Sequence, residues 1–322
     1  MPRLTVLICT HNREQLLSNA LHWINRATRP DNWSVEILVA ANACSDGTHA
    51  LLDRYQETSE ENKTLPLHWI DVPTPGKTHA LNAALTEIDA DMVAFVDDDH
   101  RIDSTYLSAI CEAAEQHPDT GLFCGRILPD WDGTEPQWVH DQGPYRIYPL
   151  PVPRFELDRE AGPIDATIAI PGGGNLAIRP EVFPLVGPFN HEYGPKGHNL
   201  QGGEDSEWVL RALATGIKLR YNPDMLQYHF VDGKRLTLTY LLRKAYQRSA
   251  SMVRFNATTQ EGRLFPAYLL RKVIGYAGKL IVSWNWQRGR FYLVRLSAAL
   301  GEIAGHLSKN RSERHPLNGP TE

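Results

Sequence analysis

The sequence predicts an α/β fold built on a mostly parallel sheet flanked by helices. Three observations carry this. Short apolar runs rich in β-branched residues alternate with amphipathic stretches through the first hundred positions. Each run ends in a polar or glycine-containing turn. Strand–helix alternation of this kind is what right-handed crossovers between parallel strands produce. At 322 residues, 42% hydrophobic and 22% charged, the chain is long enough for one large domain plus an appendage.

The elements follow in order. Residues 3–9 (RLTVLIC) read as a strand, and Thr10, His11 and Asn12 form a polar turn. A helical pattern runs from Arg13 to about Ala27, and residues 35–41 form a second buried strand. Ser45 or Asp46 is placed to cap the next helix, over 48–55. A strand over 65–72 and a helix over 77–88 follow, and Met92 to Val96 is a further buried strand. After Ser104 come a helix (106–116), a strand (121–126) and a long proline-rich stretch (128–165). Then come three glycines and Asn175, a short strand (176–178), a loop rich in Gly and His (190–203) and a helix over 206–215. A strand over 218–222 and a segment over 225–229 close this part. The tail from 310 is polar and expected to be disordered.

The four cysteines are scattered, with neither zinc spacing nor a disulfide framework, so a reducing, cytoplasmic setting is expected. The chain enters a strand directly, without the pattern of a signal peptide. It holds no run of about 18 apolar residues, which argues against a spanning helix.

The strand 92–96 ends in three carboxylates, Asp97, Asp98 and Asp99. Adjacent like charges repel and need a counter-charge if they are buried. A divalent cation at the strand's C-terminal end supplies one, and open α/β sheets bind ligands at that end. Hard oxygen ligands suit Mg²⁺ or Mn²⁺, which usually accompany a diphosphate. A solvated acidic turn is the plainer alternative. In an extended segment, alternation would put Asp97 and Asp99 on one side, with His100 pointing elsewhere.

The ordered segments VLICTHNREQLL, ILVAANACSDGT, GKTHALNAAL, VDDDHRID, GGGNLAIRPEVF, GGEDSEWVLRALATG and MLQYH resemble family-2 inverting glycosyltransferases of the GT-A fold, over residues 3–232. That fold is a Rossmann-like, mostly parallel sheet flanked by helices. The resemblance implies transfer of a sugar from a nucleotide-diphosphate sugar, expected to be a UDP-sugar, to a hydroxyl of a glycan, glycolipid or other acceptor, in polysaccharide biosynthesis. It implies nucleotide contacts from Thr10, Asn12, Arg13, Asn42, Gly76, Lys77, Asn82, Asp97 and Asp98. Asp99 and His229 would hold Mn²⁺ or Mg²⁺. Gly202-Gly203-Glu204-Asp205 resembles the acceptor-site acidic pair, with Asp205 as general base and Glu204 orienting the acceptor. Gly174 and Asn175 would line the sugar pocket, and Trp208 would stack on a sugar or pack in the core. Relatives usually carry an acidic residue where this chain has Ala41, so either Asn42 takes over base reading or a different base is accepted.

The net charge of −5 hides an asymmetry. Residues 234–311 hold 15 Lys and Arg against Glu261 and Glu302, a local net of +13, leaving −18 for the remainder. Apolar and aromatic residues are interleaved with these charges, a pattern of basic amphipathic helices. It suits peripheral contact with an anionic membrane, or packing on the catalytic domain or in a homo-oligomer. No nucleic-acid-binding motif accompanies the charge. The expected division is a catalytic domain over 1–232 (nucleotide half 1–103, acceptor half 104–232), a helical extension over 233–309 and the tail. The rival readings are a sugar nucleotidyltransferase, whose glycine- and arginine-rich first loop is missing here, and a non-catalytic nucleotide-sugar-binding protein.

Overall fold

The computed structural model describes residues 1–191, 203–257 and 267–312. The loop expected over 190–203 falls largely outside these residues, as do Gly202 and the tail beyond 312. The first crossovers run β1 (Arg3–Thr10), α1 (Glu14–Arg26), β2 (Ser34–Asn42), α2 (Thr48–Asn62), β3 (Leu67–Val72), α3 (Lys77–Leu85) and β4 (Met92–Phe95). Strands β3, β2, β1 and β4 pair in that order, all parallel. Alternation along β1 sends Leu4, Val6 and Ile8 to one face of the sheet and Leu7 to the other. Helix α1 buries Leu17, Ala20, Leu21 and Ile24, one stripe at helical spacing.

The second half adds β5 (His100–Ile102), α4 (Tyr106–Gln116), β6 (Leu122–Asp130), β7 (Gly162–Ile164), β8 (Leu176–Ile178), α5 (Val182–Val186), α6 (Glu204–Ala214) and β9 (Leu219–Phe230). The sheet continues from β4 through antiparallel β8 to β6, β9 and β5, with β7 beside β9. The two strands expected over 218–229 are one strand, β9, with a register shift where β6 passes Cys124 to Arg126. The short strand β5 is too brief for an apolar pattern to mark it in the sequence.

The chain folds as two compact units. The first is Met1–Asp130 with Pro153–Phe230. The second is Trp131–Val152 with the described part of Val231–Glu322. A boundary at 232 leaves 131–152 with the sheet; in the structure that segment belongs with the C-terminal helices. These are α7 (Leu238–Ala257), α8 (Tyr268–Ile281) and α9 (Trp286–Ser312). Helices α7 and α9 approach closely, since a Cβ on Gly301 would collide with the Tyr246 carbonyl. Ser297 donates to the Leu242 carbonyl at 2.8 Å, and Lys272 pairs with Glu302 at 2.6 Å. Among the described residues no helix is long and apolar enough to cross a membrane.

Candidate active site

The site is built at the C-terminal ends of β1, β2 and β4 and the N-termini of α3 and α6. The three carboxylates do not continue as a strand. The His100 amide donates to the Asp97 carbonyl at 3.0 Å, so the chain turns here. The turn sends each carboxylate to a different set of partners. Asp97 lies 3.2 Å from Lys77. Asp98 is buried, accepting from the Thr10 hydroxyl at 2.7 Å and from Arg13 at 2.8 Å. Asp99 accepts from the same Arg13 guanidinium at 3.0 Å.

The structure gives several of the expected site residues intramolecular partners. Thr10 and Asp98 are buried and hydrogen-bonded to each other, so their side chains hold the turn. The Asn42 amide donates to the Val72 and Thr74 carbonyls and accepts from Gly76 N–H, which fixes the loop into α3. Asn82 pins both backbone groups of Phe189. Asn175 donates to the Arg126 and Met225 carbonyls and accepts from Tyr106. Trp208 is fully buried, stacked on Phe189 and donating to the Gly187 carbonyl, which is the core packing the sequence favours for it over sugar stacking. Asn12, with φ of 52°, bridges to the Ser45 and Asp46 amides and joins the two nucleotide-side turns.

Lys77 is the hub. Its Nζ lies 3.2 Å from Asp97, 3.4 Å from Asp205 and 3.7 Å from Glu204. Burial would lower its pKa, but Asp205, Asp97 and Glu204 outweigh that and hold it well above the ordinary lysine value. Burial likewise opposes ionisation of Asp97, but the adjacent Lys77 ammonium depresses its pKa far below the usual carboxylate range. Asp98 is pushed up to about 6 by burial and by Asp99, against the pull of Arg13. Glu204 is raised by burial and by Asp205. Asp205 Oδ1 and Glu204 Oε2 are buried without a hydrogen-bond partner.

The glycines before Asn175 make room for these acids. A Cβ on Gly173 would strike the Asp205 carboxylate, and one on Gly174 would lie 2.7 Å from Asp97 Oδ2 and 2.8 Å from His100 Cε1.

Strand alternation turns His100 away from the acids, and the structure brings it to them. Strands β5 and β9 place His100 directly opposite His229. Gln227, buried behind them, donates to the Phe95 carbonyl and to Tyr106, which aims its Oε1 at His100 Nδ1. A carbonyl only accepts, so this network places a proton on His100 Nδ1, and in the neutral imidazole the lone pair is then on Nε2. His229 Nδ1 lies 2.6 Å from the Phe230 carbonyl, which by the same reasoning leaves its Nε2 bare. Both bare nitrogens face Asp99, at 3.9 and 3.7 Å. His100 Nε2 is buried and without a hydrogen-bond partner. The three ligand atoms lie within 4.8 Å of one another. With both imidazoles neutral, two ring nitrogens and a carboxylate oxygen converge, and that donor set fits a divalent metal. The mixed nitrogen and oxygen set suits Mn²⁺ better than Mg²⁺, which prefers oxygen. The sequence signal for His100 lies in the pairing of two histidine-bearing segments, visible only once the turn at Asp97 is known.

A mixed α/β sheet thus carries acids, a basic hub and a histidine pair at its strand ends. The model of glycosyl transferase family 2 matches residues 5–183, and the chain belongs to that family. It is a glycosyltransferase. It is 21% identical over 251 residues to the glucosyl-dolichyl phosphate glucuronosyltransferase of Haloferax volcanii, covering 77% of this chain and 76% of that one. It is 30% identical over 117 residues to the GalNAc(5)-diNAcBac-PP-undecaprenol beta-1,3-glucosyltransferase of Campylobacter jejuni, covering 36% of each. Among solved structures it resembles the mannosyltransferase PcManGT from Pyrobaculum calidifontis in complex with GDP-Man and Mn²⁺, with a TM-score of 0.56 and 20% identity over 98% of this chain and 88% of that one. That likeness shows the GT-A fold.

Proposed function

We propose that this chain is a metal-dependent, inverting glycosyltransferase that moves a sugar from a nucleotide-diphosphate donor to a hydroxyl of a lipid-linked or glycan acceptor. The observation that carries the reading is the convergence of Asp97, Asp99, Glu204 and Asp205 with Lys77, His100 and His229 at the sheet's ligand-binding edge. The turns 10–13 and 76–77, on the nucleotide side of the chain, receive the donor, with Arg13 and Lys77 as its cations. Residues 104–232, with Gly174 and Glu204, serve the acceptor.

In the reaction the acceptor oxygen forms a bond to the anomeric carbon as that carbon's bond to the diphosphate oxygen breaks. The electron pair leaves with the diphosphate. The proton of the acceptor hydroxyl passes to Asp205, whose Oδ1 is buried without a partner while its Oδ2 lies 3.4 Å from Lys77. Glu204, with its raised pKa, orients the acceptor. Attack opposite the departing group inverts the anomeric centre. Asp99, His100 and His229 would hold Mn²⁺, which when bound neutralises charge on the leaving diphosphate.

A lipid-linked acceptor is favoured by two relatives described by dolichyl and undecaprenol substrates. The basic second unit, with exposed Trp284 and Trp286, suits work at the inner face of a membrane. The donor base is open, because Asn42 is committed to the loop and Ala41 is buried. Calorimetry of UDP-, GDP- and dTDP-sugars with and without Mn²⁺ tests the donor reading. One sugar nucleotide should bind in a Mn²⁺-dependent manner, and uniform failure would remove it.

A further inference from the structure

The second unit holds a groove of about 220 Å³ that this chemistry does not use. It is lined by the segment 146–151 and by one face each of α7 and α9. Four cations rim it, Arg146, Lys244, Arg248 and Arg295. Among the described residues none of them has a carboxylate partner. Two acids of this unit are engaged elsewhere, Asp141 by Arg290 and Glu302 by Lys272. Arg146 lies over Tyr148 and Arg295 over Phe291, contacts that hold both guanidinium groups in place. Lys244 has its pKa lowered by burial and then by the repulsion of Arg235 and Arg248.

Cations gathered at a cleft without a carboxylate partner among the described residues call for an anion, and among those residues Lys244 donates only to the Pro151 carbonyl. The walls add a second requirement. Leu241, Ala245, Val294 and Ala298 give the groove an apolar side that a free inorganic phosphate would not use. In the same unit α8 exposes Leu270, Ile274 and Ile281, and Trp284 and Trp286 follow it, also exposed. Amphipathic helices with interfacial tryptophans lie in the headgroup region of bilayers.

We propose that this groove seats the phosphate headgroup of an anionic membrane lipid, its glycerol and first methylenes against the apolar wall. The proposal rests on the peripheral-membrane reading above and gives it a specific site.

Two measurements on the full chain separate the two. In the first, the protein is sedimented with vesicles of phosphatidylglycerol in phosphatidylcholine, or of phosphatidylcholine alone. Adsorption only to the anionic vesicles is expected, and no adsorption at low salt would overturn both readings. In the second, calorimetry follows binding of monomeric dihexanoyl phosphatidylglycerol. The variant K244Q/R248Q should bind more than about tenfold more weakly, in line with the loss of two cations near a phosphate. The control R243Q/R271Q, exposed positions outside the groove, should change little. Glycerol 3-phosphate should bind far more weakly than the lipid. Equal losses in the two variants, or none, would overturn the groove while leaving adsorption intact. Equal affinity for glycerol 3-phosphate would assign the groove to a free phosphate metabolite instead.

Discussion

Lys77 Nζ stands 3.4 Å from Asp205 Oδ2, joining the N-terminus of α3 to the N-terminus of α6 across 128 residues of sequence. A cation at a helix N-terminus opposes the helix dipole, so this position is maintained by its carboxylates and not by the helix that carries it. Lys77→Met would leave Asp97, Glu204 and Asp205 without their shared counter-charge. A loss of about 3 kcal/mol in urea unfolding at neutral pH is expected. The sign with pH follows from the shifts. The raised lysine pKa contributes stability below its unfolded value and loses it only as pH rises through the folded one. The depressed Asp97 contributes above its unfolded value and loses that as pH falls. The gap between wild type and variant should therefore persist through the neutral range and narrow in acid. A variant as stable as wild type at pH 7 would contradict the hub.

Asp205→Asn keeps the shape and removes the proposed proton acceptor. Donor affinity should remain, and transfer should fall by about 10²–10⁴. Near-normal turnover would move the base to Glu204.

Asp99→Ala should abolish Mn²⁺-dependent donor binding with the fold intact by circular dichroism. His100→Ala should weaken it too, by about 10–100-fold on the scale of a lost metal contact. An unchanged Mn²⁺ titration in His100→Ala would return His100 to a packing role.

The alternation of apolar runs makes the parallel β3–β2–β1–β4 half legible, because a buried strand between helices needs little beyond composition. The motif order points to Lys77, Asp97, Asp99, Glu204, Asp205 and His229, and these do converge. What the sequence hides is geometry decided by tertiary pairing. The turn at Asp97–His100 breaks the alternation on which the side of each carboxylate is judged. The amides of Asn42, Asn82 and Asn175 look like ligands because a polar side chain near a motif carries no mark of whether a backbone group already holds it. Trp208 is ambiguous in sequence for the same reason.

Gly173→Ala should displace the Asp205 carboxylate, since the new Cβ has no other space. The expected outcome is a drop in kcat with donor affinity little changed, measured by steady-state kinetics. Unaltered kcat would mean that α6 shifts freely.

Trp208→Phe should lose the hydrogen bond to the Gly187 carbonyl and cost about 1 kcal/mol, and Trp208→Ala about 3–5 kcal/mol. For Trp208→Phe, the acceptor KM should stay put. A raised acceptor KM without loss of stability would restore the sugar-stacking role.

Glycosyl transfer is tested most directly by ³¹P NMR of the products formed from a bound nucleotide sugar and an acceptor, with Mn²⁺ and then with chelator. The site predicts a free nucleoside diphosphate, formed with Mn²⁺, suppressed by chelation, restored on adding Mn²⁺ back and nearly absent in Asp205→Asn. Release of a sugar phosphate with a nucleoside monophosphate or pyrophosphate, or diphosphate formation indifferent to both the metal and Asp205, would contradict it.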